Sequence, residues 1–71
     1  MNFGQALRQM TAGQSVKRGG WDNLNQWIYV RNPDPNSDAG QSYIVHRQPN
    51  GMLIPWVAPH VDLLAEDWIV A

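Results

Sequence analysis

The sequence contains no cysteine among its 71 residues. This excludes disulfides and thiolate zinc sites, and two imidazoles, His46 and His60, are too few for a structural zinc site. A domain of this size usually needs such a staple, because apolar burial and chain entropy nearly cancel. We therefore expect one domain spanning residues 1–71, stabilised by association with another chain and holding neither a metal nor a cofactor.

Charge and long apolar runs are also scarce. Five Lys and Arg stand against six Asp and Glu, which gives a formal net charge of −1. Duplex-binding proteins normally carry a basic patch, so long nucleic acid is not an expected partner. No apolar run approaches the ~20 residues that cross a membrane, and the N-terminal residues lack the pattern of a secretion leader. The sequence predicts a cytosolic protein without membrane contact.

Tryptophan, in contrast, is abundant. The four indoles are those of Trp21, Trp27, Trp56 and Trp68. Each can bury roughly 150–250 Å², which is on the order of 4–6 kcal/mol at about 25 cal/mol per Å². One small core is not expected to enclose all four, so part of this surface should contact a partner chain, a ligand or both. A monomer with half-exposed tryptophans is the alternative, because single exposed apolar residues are common.

Hydrophobic periodicity predicts an α+β fold, in which an N-terminal helix packs on a small antiparallel sheet and a short helix precedes the C-terminal strand. The first helix is predicted over Asn2 to Thr11, with Asn2 as its N-cap and Gly13 as its stop. The short helix is predicted over Asp62 to Glu66. The predicted strands are Val16 to Arg18, Gln26 to Arg31, Ser42 to Arg47, Met52 to Val57 and Asp67 to Ala71.

The Pro- and Gly-containing stretch Asn32 to Gln41 is predicted to be a loop. Asp34, Asn36 and Asp38 alternate there as in a calcium loop. However, the glycine comes one position late and Val45 stands where the bidentate glutamate belongs, so the calcium interpretation is rejected.

Acidic residues also cluster near His60, where Asp62, Glu66 and Asp67 follow within seven positions. A histidine with carboxylates can perform acid–base chemistry, but acidic residues at the start of a short helix also stabilise its dipole. No serine has the flanking pattern of a nucleophile elbow. We interpret the chain as a binding protein and not as an enzyme.

The stretch Lys17 to Trp21 is the strongest candidate for a ligand site. It places two cations, two glycines and a large flat ring together, which suits phosphate oxygens and a stacked base. Asn23, Asn25 and Gln26 follow with side chains that can bind ribose hydroxyls or base edges. The alternative from local chemistry is a β-turn with a core tryptophan and two solvated cations.

Three stretches of the chain resemble the type-two Thoeris anti-defence sponges of phages. They are Met1 to Gly4 with Ala6-Leu7, Val16 to Trp21, and Pro55-Trp56 with the segment Asp62 to Trp68. The resemblance spans nearly the whole chain, and the Ala-Glu-Asp-Trp ending after Pro-Trp is its most specific part. Where the family has small hydroxyl residues after Trp56, this chain has Pro59-His60-Val61, so we expect Asp62 to cap the short helix instead.

The resemblance implies a homo-oligomer, with dimers pairing into tetramers, in the cytosol of the host bacterium. It implies binding of cyclic ADP-ribose-type signals, or of cyclic dinucleotides, without cleavage, which would block Thoeris-type or CBASS-type immunity. Carried over to this chain, it assigns base stacking to Trp21 and phosphate binding to Arg18 and Lys17. Further ligand contacts are expected from Asn23, Tyr43, Trp56 and Asp62. The alternative function is a small protein–protein interaction module, or an inhibitor of a host protein, that uses its tryptophans as interface anchors.

Overall fold

A computed structural model of the chain describes residues 1–33 and 40–71. The helices are α1 (Phe3–Thr11) and α2 (His60–Leu63). The strands are β1 (Val16–Arg18), β2 (Trp27–Arg31), β3 (Tyr43–Arg47), β4 (Leu53–Pro55) and β5 (Trp68–Val70). All pairings are antiparallel and the sheet order is β4-β3-β2-β1-β5. The predicted α+β architecture is confirmed.

Helix α1 begins with a reciprocal cap. The side chain of Asn2 accepts from the backbone N–H of Gln5 at 2.9 Å, and the side chain of Gln5 accepts from the backbone N–H of Asn2 at 3.0 Å. These two bonds satisfy N–H groups that a helix start leaves without partners. After Ala12 the chain leaves the helix through Gly13 at a φ of 97°, a conformation that favours glycine.

Strand β1 lies between β2 and β5, the last strand of the chain. Val16 pairs with Ile28 of β2 on one side and with Val70 of β5 on the other. Helix α1 packs against β5, β1 and β2. Beyond β5, the backbone N–H of Trp68 donates to the carbonyl of Met1 at 3.1 Å. The two terminal segments are therefore joined through the same edge of the sheet.

The core lies between α1 and this half of the sheet. It is built from the fully buried side chains Ala6, Met10, Val16, Ile28 and Trp68. Of the four tryptophans only Trp68 is completely enclosed, whereas Trp21, Trp27 and Trp56 are half-buried. This agrees with the expectation that one small core cannot cover four indoles.

The structure corrects the short helix. It spans His60–Leu63, two residues earlier than predicted, and its N-cap position is held by Pro59 without a side-chain hydrogen bond. The expectation that Asp62 caps this helix is therefore wrong. Its carboxylate lies inside the first turn and is drawn towards Arg18, which donates to it at 2.8 Å.

The predicted loop Asn32 to Gln41 lies only partly within the described chain. Asp34, Asn36 and Asp38, considered above for calcium, are outside the described residues. In the part of the chain that is described, neither helix has the length and apolar character that crossing a membrane requires.

Candidate functional site

A cavity of about 470 Å³ opens beside the predicted Lys17 to Trp21 stretch. Its walls come from the turn after β1, from β3 and β4, and from the segment that leads into α2. Two indoles face it, those of Trp21 and Trp56, together with polar and apolar side chains. Among the described residues, the lining consists of Trp21, Asp22, Asn23, Gln26, His46, Ile54, Pro55, Trp56, Val57, Pro59 and Asp62.

Both cavity-lining indoles rest on the buried ring of Trp68. The Trp21 and Trp68 ring centroids are 5.6 Å apart with the rings at 77°, and those of Trp56 and Trp68 are 6.0 Å apart at 89°. Phe3 packs on Trp56 from the side of α1, with ring centroids at 5.8 Å. The edge-to-face packing of Trp21 and of Trp56 on Trp68 is favourable beyond the area it buries. The core therefore holds the two indoles in place before any ligand arrives.

Asp62 connects the cavity to the core. Its side chain is 9% exposed. Oδ1 accepts from Nη1 of Arg18 at 2.8 Å and from Nε1 of Trp21 at 3.3 Å. Its backbone carbonyl accepts from the indole N–H of Trp68 at 3.0 Å. One residue thus fixes the orientation of two tryptophans.

Arg18 lies behind the cavity wall, between two carboxylates. Besides its bond to Asp62, Nε donates to Oδ1 of Asp67 at 2.7 Å and Nη2 donates to Oδ2 at 3.2 Å. Asp67, and then Asp62, raise the pKa of the guanidinium above its already high ordinary value. In return, Arg18 lowers the pKa of Asp67, and the backbone N–H of Gly20 adds to this effect. The positive charge of Arg18 is compensated within the protein.

Gly20 is required by this ion-pair network. Its backbone N–H donates to Oδ2 of Asp67 at 2.8 Å. A Cβ at this position would lie 2.6 Å from the same oxygen, closer than real Cβ contacts. The open backbone that suggested a phosphate site in the sequence is thus occupied by an internal carboxylate.

His46 and Gln26 form a second polar group in the cavity. Nε2 of Gln26 donates to the carbonyl of Asn23 at 2.7 Å, so its amide oxygen is the atom 2.8 Å from Nε2 of His46. That oxygen only accepts, so Nε2 of His46 carries a proton. Burial lowers the pKa of His46, partly opposed by the charge of Asp62. The lowered pKa favours the neutral imidazole, whose ring centroid lies 6.0 Å from that of Trp21.

The structure brings together five of the residues selected from the sequence, which all line the cavity: Trp21, Asn23, Gln26, Trp56 and Asp62. Asn25 does not line it. Lys17 and Arg18 do not line it, and Nζ of Lys17 donates to the carbonyl of Leu24 at 3.2 Å. Tyr43 lies elsewhere, on a separate cavity of about 350 Å³ between α1 and the ends of β2 and β3.

Sequence reasoning did not place His46 at the site, whereas Asp22, which also lines the cavity, adjoins Trp21 in the chain. His46 reaches the cavity because β3 pairs with β2 in the register that sets it opposite Ile28, beside Gln26. No local pattern carries that information.

Asp62 and Asp67, which the sequence grouped with His60, both converge on Arg18. Within residues 1–33 and 40–71, no three His, Asp or Glu side chains are arranged to hold a metal ion.

Comparisons with known proteins support the resemblance. A model of the Thoeris anti-defense 2-like domain (Tad2-like) matches residues 1–71. The chain is also similar to the protein "Thoeris anti-defense 2" of Bacillus phage SP01. The two are 30% identical over 81 aligned positions, which cover 96% of this chain and 91% of the phage protein. The family model covers every residue of the cavity described above.

Proposed function

Because the chain belongs to the Thoeris anti-defense 2-like family, and so has a role in phage anti-defence, we propose that it binds and sequesters a nucleotide immune signal without cleaving it. The proposed signal is of the cyclic ADP-ribose type, with cyclic dinucleotides as a second class. Its removal would silence Thoeris-type immunity, or CBASS-type immunity where the signal is a cyclic dinucleotide. The mechanism is stoichiometric, so the sites must outnumber the messenger molecules.

The observation that carries this proposal is the cavity with two braced indoles. Its volume of about 470 Å³ falls in the range of ~300–1,000 Å³ typical of small-molecule sites. A base stacked on an aromatic ring gains roughly 1–3 kcal/mol. Trp21 and Trp56 offer ring surface, and Asn23, Gln26 and Asp62 offer hydrogen bonds beside it.

A sponge must bind tightly, and this favours an oligomer. A nanomolar dissociation constant corresponds to about −12 kcal/mol, so one stacked base falls far short. We propose that a second copy adds contacts at the open side of the cavity, in a dimer of dimers. Exposed apolar side chains support this: Val57 at the cavity rim is 85% exposed, and Val61 and Leu64 nearby are 66% and 82% exposed.

The two cations proposed to bind phosphate, those of Lys17 and Arg18, differ in the contacts that a phosphate would have to displace. Lys17 makes one hydrogen bond to a backbone carbonyl, which a phosphate can replace at small cost. Arg18 is held by two carboxylates, so a phosphate would compete with both. Tyr43 lies on the separate cavity, so its proposed contact with the ligand would come from another copy of the chain.

The test is calorimetric titration with cyclic ADP-ribose isomers and cyclic dinucleotides, followed by heat release and mass analysis of the ligand. Trp21→Ala should weaken binding by about 5- to 150-fold while the oligomer measured by light scattering persists. Trp27→Ala is the matched control, because Trp27 is also half-buried but lies outside the cavity lining. Equal affinity of Trp21→Ala and the parent protein would refute the role of Trp21.

The remaining outcomes separate the function classes. Ligand recovered unchanged supports a sponge, and altered ligand with repeated turnover would mean an enzyme. If no probe binds to well-folded protein, the proposed function is wrong. The exposed Val57, Val61 and Leu64 would then favour the protein–protein module, to be tested by co-purification of a host chain.

A further inference from the structure

One oxygen of Asp62 has no partner in the described part of the chain. Oδ1 takes both side-chain hydrogen bonds, from Arg18 and from Trp21, and Oδ2 takes none from the described residues. No buried side-chain nitrogen or oxygen of these residues is without a hydrogen bond, so Oδ2 is reached by solvent. Asp62 also lines the cavity, so Oδ2 is the carboxylate oxygen that remains available to a ligand there.

The charge of the cavity indicates what this oxygen can bind. Two carboxylates, those of Asp22 and Asp62, are part of the lining, and the lining contains no Lys or Arg. A carboxylate oxygen accepts hydrogen bonds and has none to donate. A phosphate placed against Asp62 would bring two negative charges together, whereas a hydroxyl or amino group gains a charge-assisted hydrogen bond.

From this we propose, as an extension of the proposed function, that Asp62 determines the specificity of the site by accepting hydrogen bonds from neighbouring donors on the sugar or base of the nucleotide. The vicinal hydroxyls of a ribose fit this chemistry, as does the exocyclic amino group of a purine. The phosphates then lie away from Asp62, towards the open side of the cavity.

Arg18 acts in this arrangement as a positioning residue. Its Nη1 and the indole N–H of Trp21 both donate to Oδ1, which fixes the carboxylate plane and leaves Oδ2 for the ligand. Asp67 in turn holds the guanidinium through Nε and Nη2. The network sets the orientation of the acceptor before the ligand binds, which lowers the cost of ordering it.

The test is Asp62→Asn in the full-length protein. Arg18 and Trp21 are both donors, so they hold the amide oxygen on their side and turn the amide NH₂ into the cavity. The fold keeps its internal hydrogen bonds, but an acceptor facing the ligand becomes a donor. Glu66→Gln is the matched control, because it also replaces a carboxylate by an amide, and Glu66 is exposed and does not line the cavity.

Three probes are titrated into each variant: cyclic ADP-ribose, its 2′-deoxyribose analogues, and the analogue with hypoxanthine in place of adenine. The parent protein should lose roughly 10- to 100-fold in affinity when the donor that meets Asp62 is removed, as expected for a hydrogen bond to a charged group. Asp62→Asn should lose a similar factor for cyclic ADP-ribose and should no longer distinguish the probes. Glu66→Gln should keep the parent affinity and the parent ratio between probes.

The outcomes separate this inference from the proposed function. If the parent protein binds the deoxyribose analogues more weakly than cyclic ADP-ribose, the donors are ribose hydroxyls. If it binds the hypoxanthine analogue more weakly, the donor is the purine amino group. If the parent binds cyclic ADP-ribose and Asp62→Asn discriminates among the probes as the parent does, the inference is wrong and the sponge stands. If the parent binds none of the three, the proposed sponge fails for this class of signal, and the inference fails with it.

Discussion

Replacing Trp68 by phenylalanine should destabilise the fold more than any other single indole-to-phenyl change. The side chain is fully buried, and its Nε1 donates to the carbonyl of Asp62 at 3.0 Å. Phenylalanine leaves that carbonyl without its partner, at a cost of about 1–3 kcal/mol. The smaller ring also leaves a void among Phe3, Trp21 and Trp56, which adds about 1 kcal/mol.

The expected loss is therefore about 2–4 kcal/mol, a large share of the stability of such a chain. A domain of this length has roughly 4–11 kcal/mol in total, at about 0.05–0.15 kcal/mol per residue. The melting temperature should fall by on the order of 10–30 °C. Urea and thermal unfolding followed by circular dichroism, at one fixed protein concentration, measure the change.

Trp27→Phe provides the comparison within the same chain. Trp27 is half-buried, and its ring carries the guanidinium of Arg47 at 4.4 Å from the centroid. Phenylalanine keeps a ring face that attracts the guanidinium less strongly, so the weakened cation–π contact should cost at most about 0.5–1 kcal/mol. If Trp68→Phe destabilises the protein no more than Trp27→Phe does, the view that Trp68 organises the core and braces the cavity is refuted.

Two further predictions concern the Arg18 network. The lowered pKa of Asp67 stabilises the fold above the ordinary value of 3.8, and this contribution is lost as the pH falls through the lower folded-state pKa. The urea midpoint should therefore fall below about pH 4, and less steeply in Asp67→Asn; equal slopes would contradict the prediction. Gly20→Ala should lower the melting temperature, because its Cβ would stand 2.6 Å from Oδ2 of Asp67, whereas Gly19→Ala meets its nearest atom at 3.5 Å. Equal melting temperatures for the two variants would contradict this prediction, because they would mean that the turn accommodates the added Cβ without loss of stability.

The elements of the fold could be predicted because their signals are local. The apolar spacing of α1, the Asn2 cap and the positive φ of Gly13 each follow from a few neighbouring residues. The strands were found from their β-forming residues, although β4 is shorter than predicted and spans Leu53–Pro55. The resemblance to a known family located Trp21 and Trp56, which do line one cavity.

The partners of charged residues could not be predicted in the same way. Arg18 meets Asp62 and Asp67 across more than forty positions of the chain, and nothing in its neighbours indicates two carboxylates. Asp62 was predicted to cap the short helix because its distant partner Arg18 cannot be recognised from neighbouring residues. Asp62 instead lies inside the first turn of α2, and its carboxylate is paired with Arg18, a tertiary contact that local propensity does not contain.

The placement of β5 beside β1 has a kinetic consequence. Val16, near the start, pairs with Val70, and the buried cluster that begins with Ala6 is completed by Trp68. Pairings that join such distant positions require a long loop to close before they gain any contact energy, which slows folding. Docking of β5 is thus the step that completes the core, and the same step brings Trp68 under Trp21 and Trp56. The core and the cavity should therefore form in the same step of refolding, so we expect a ligand to bind only the fully folded protein.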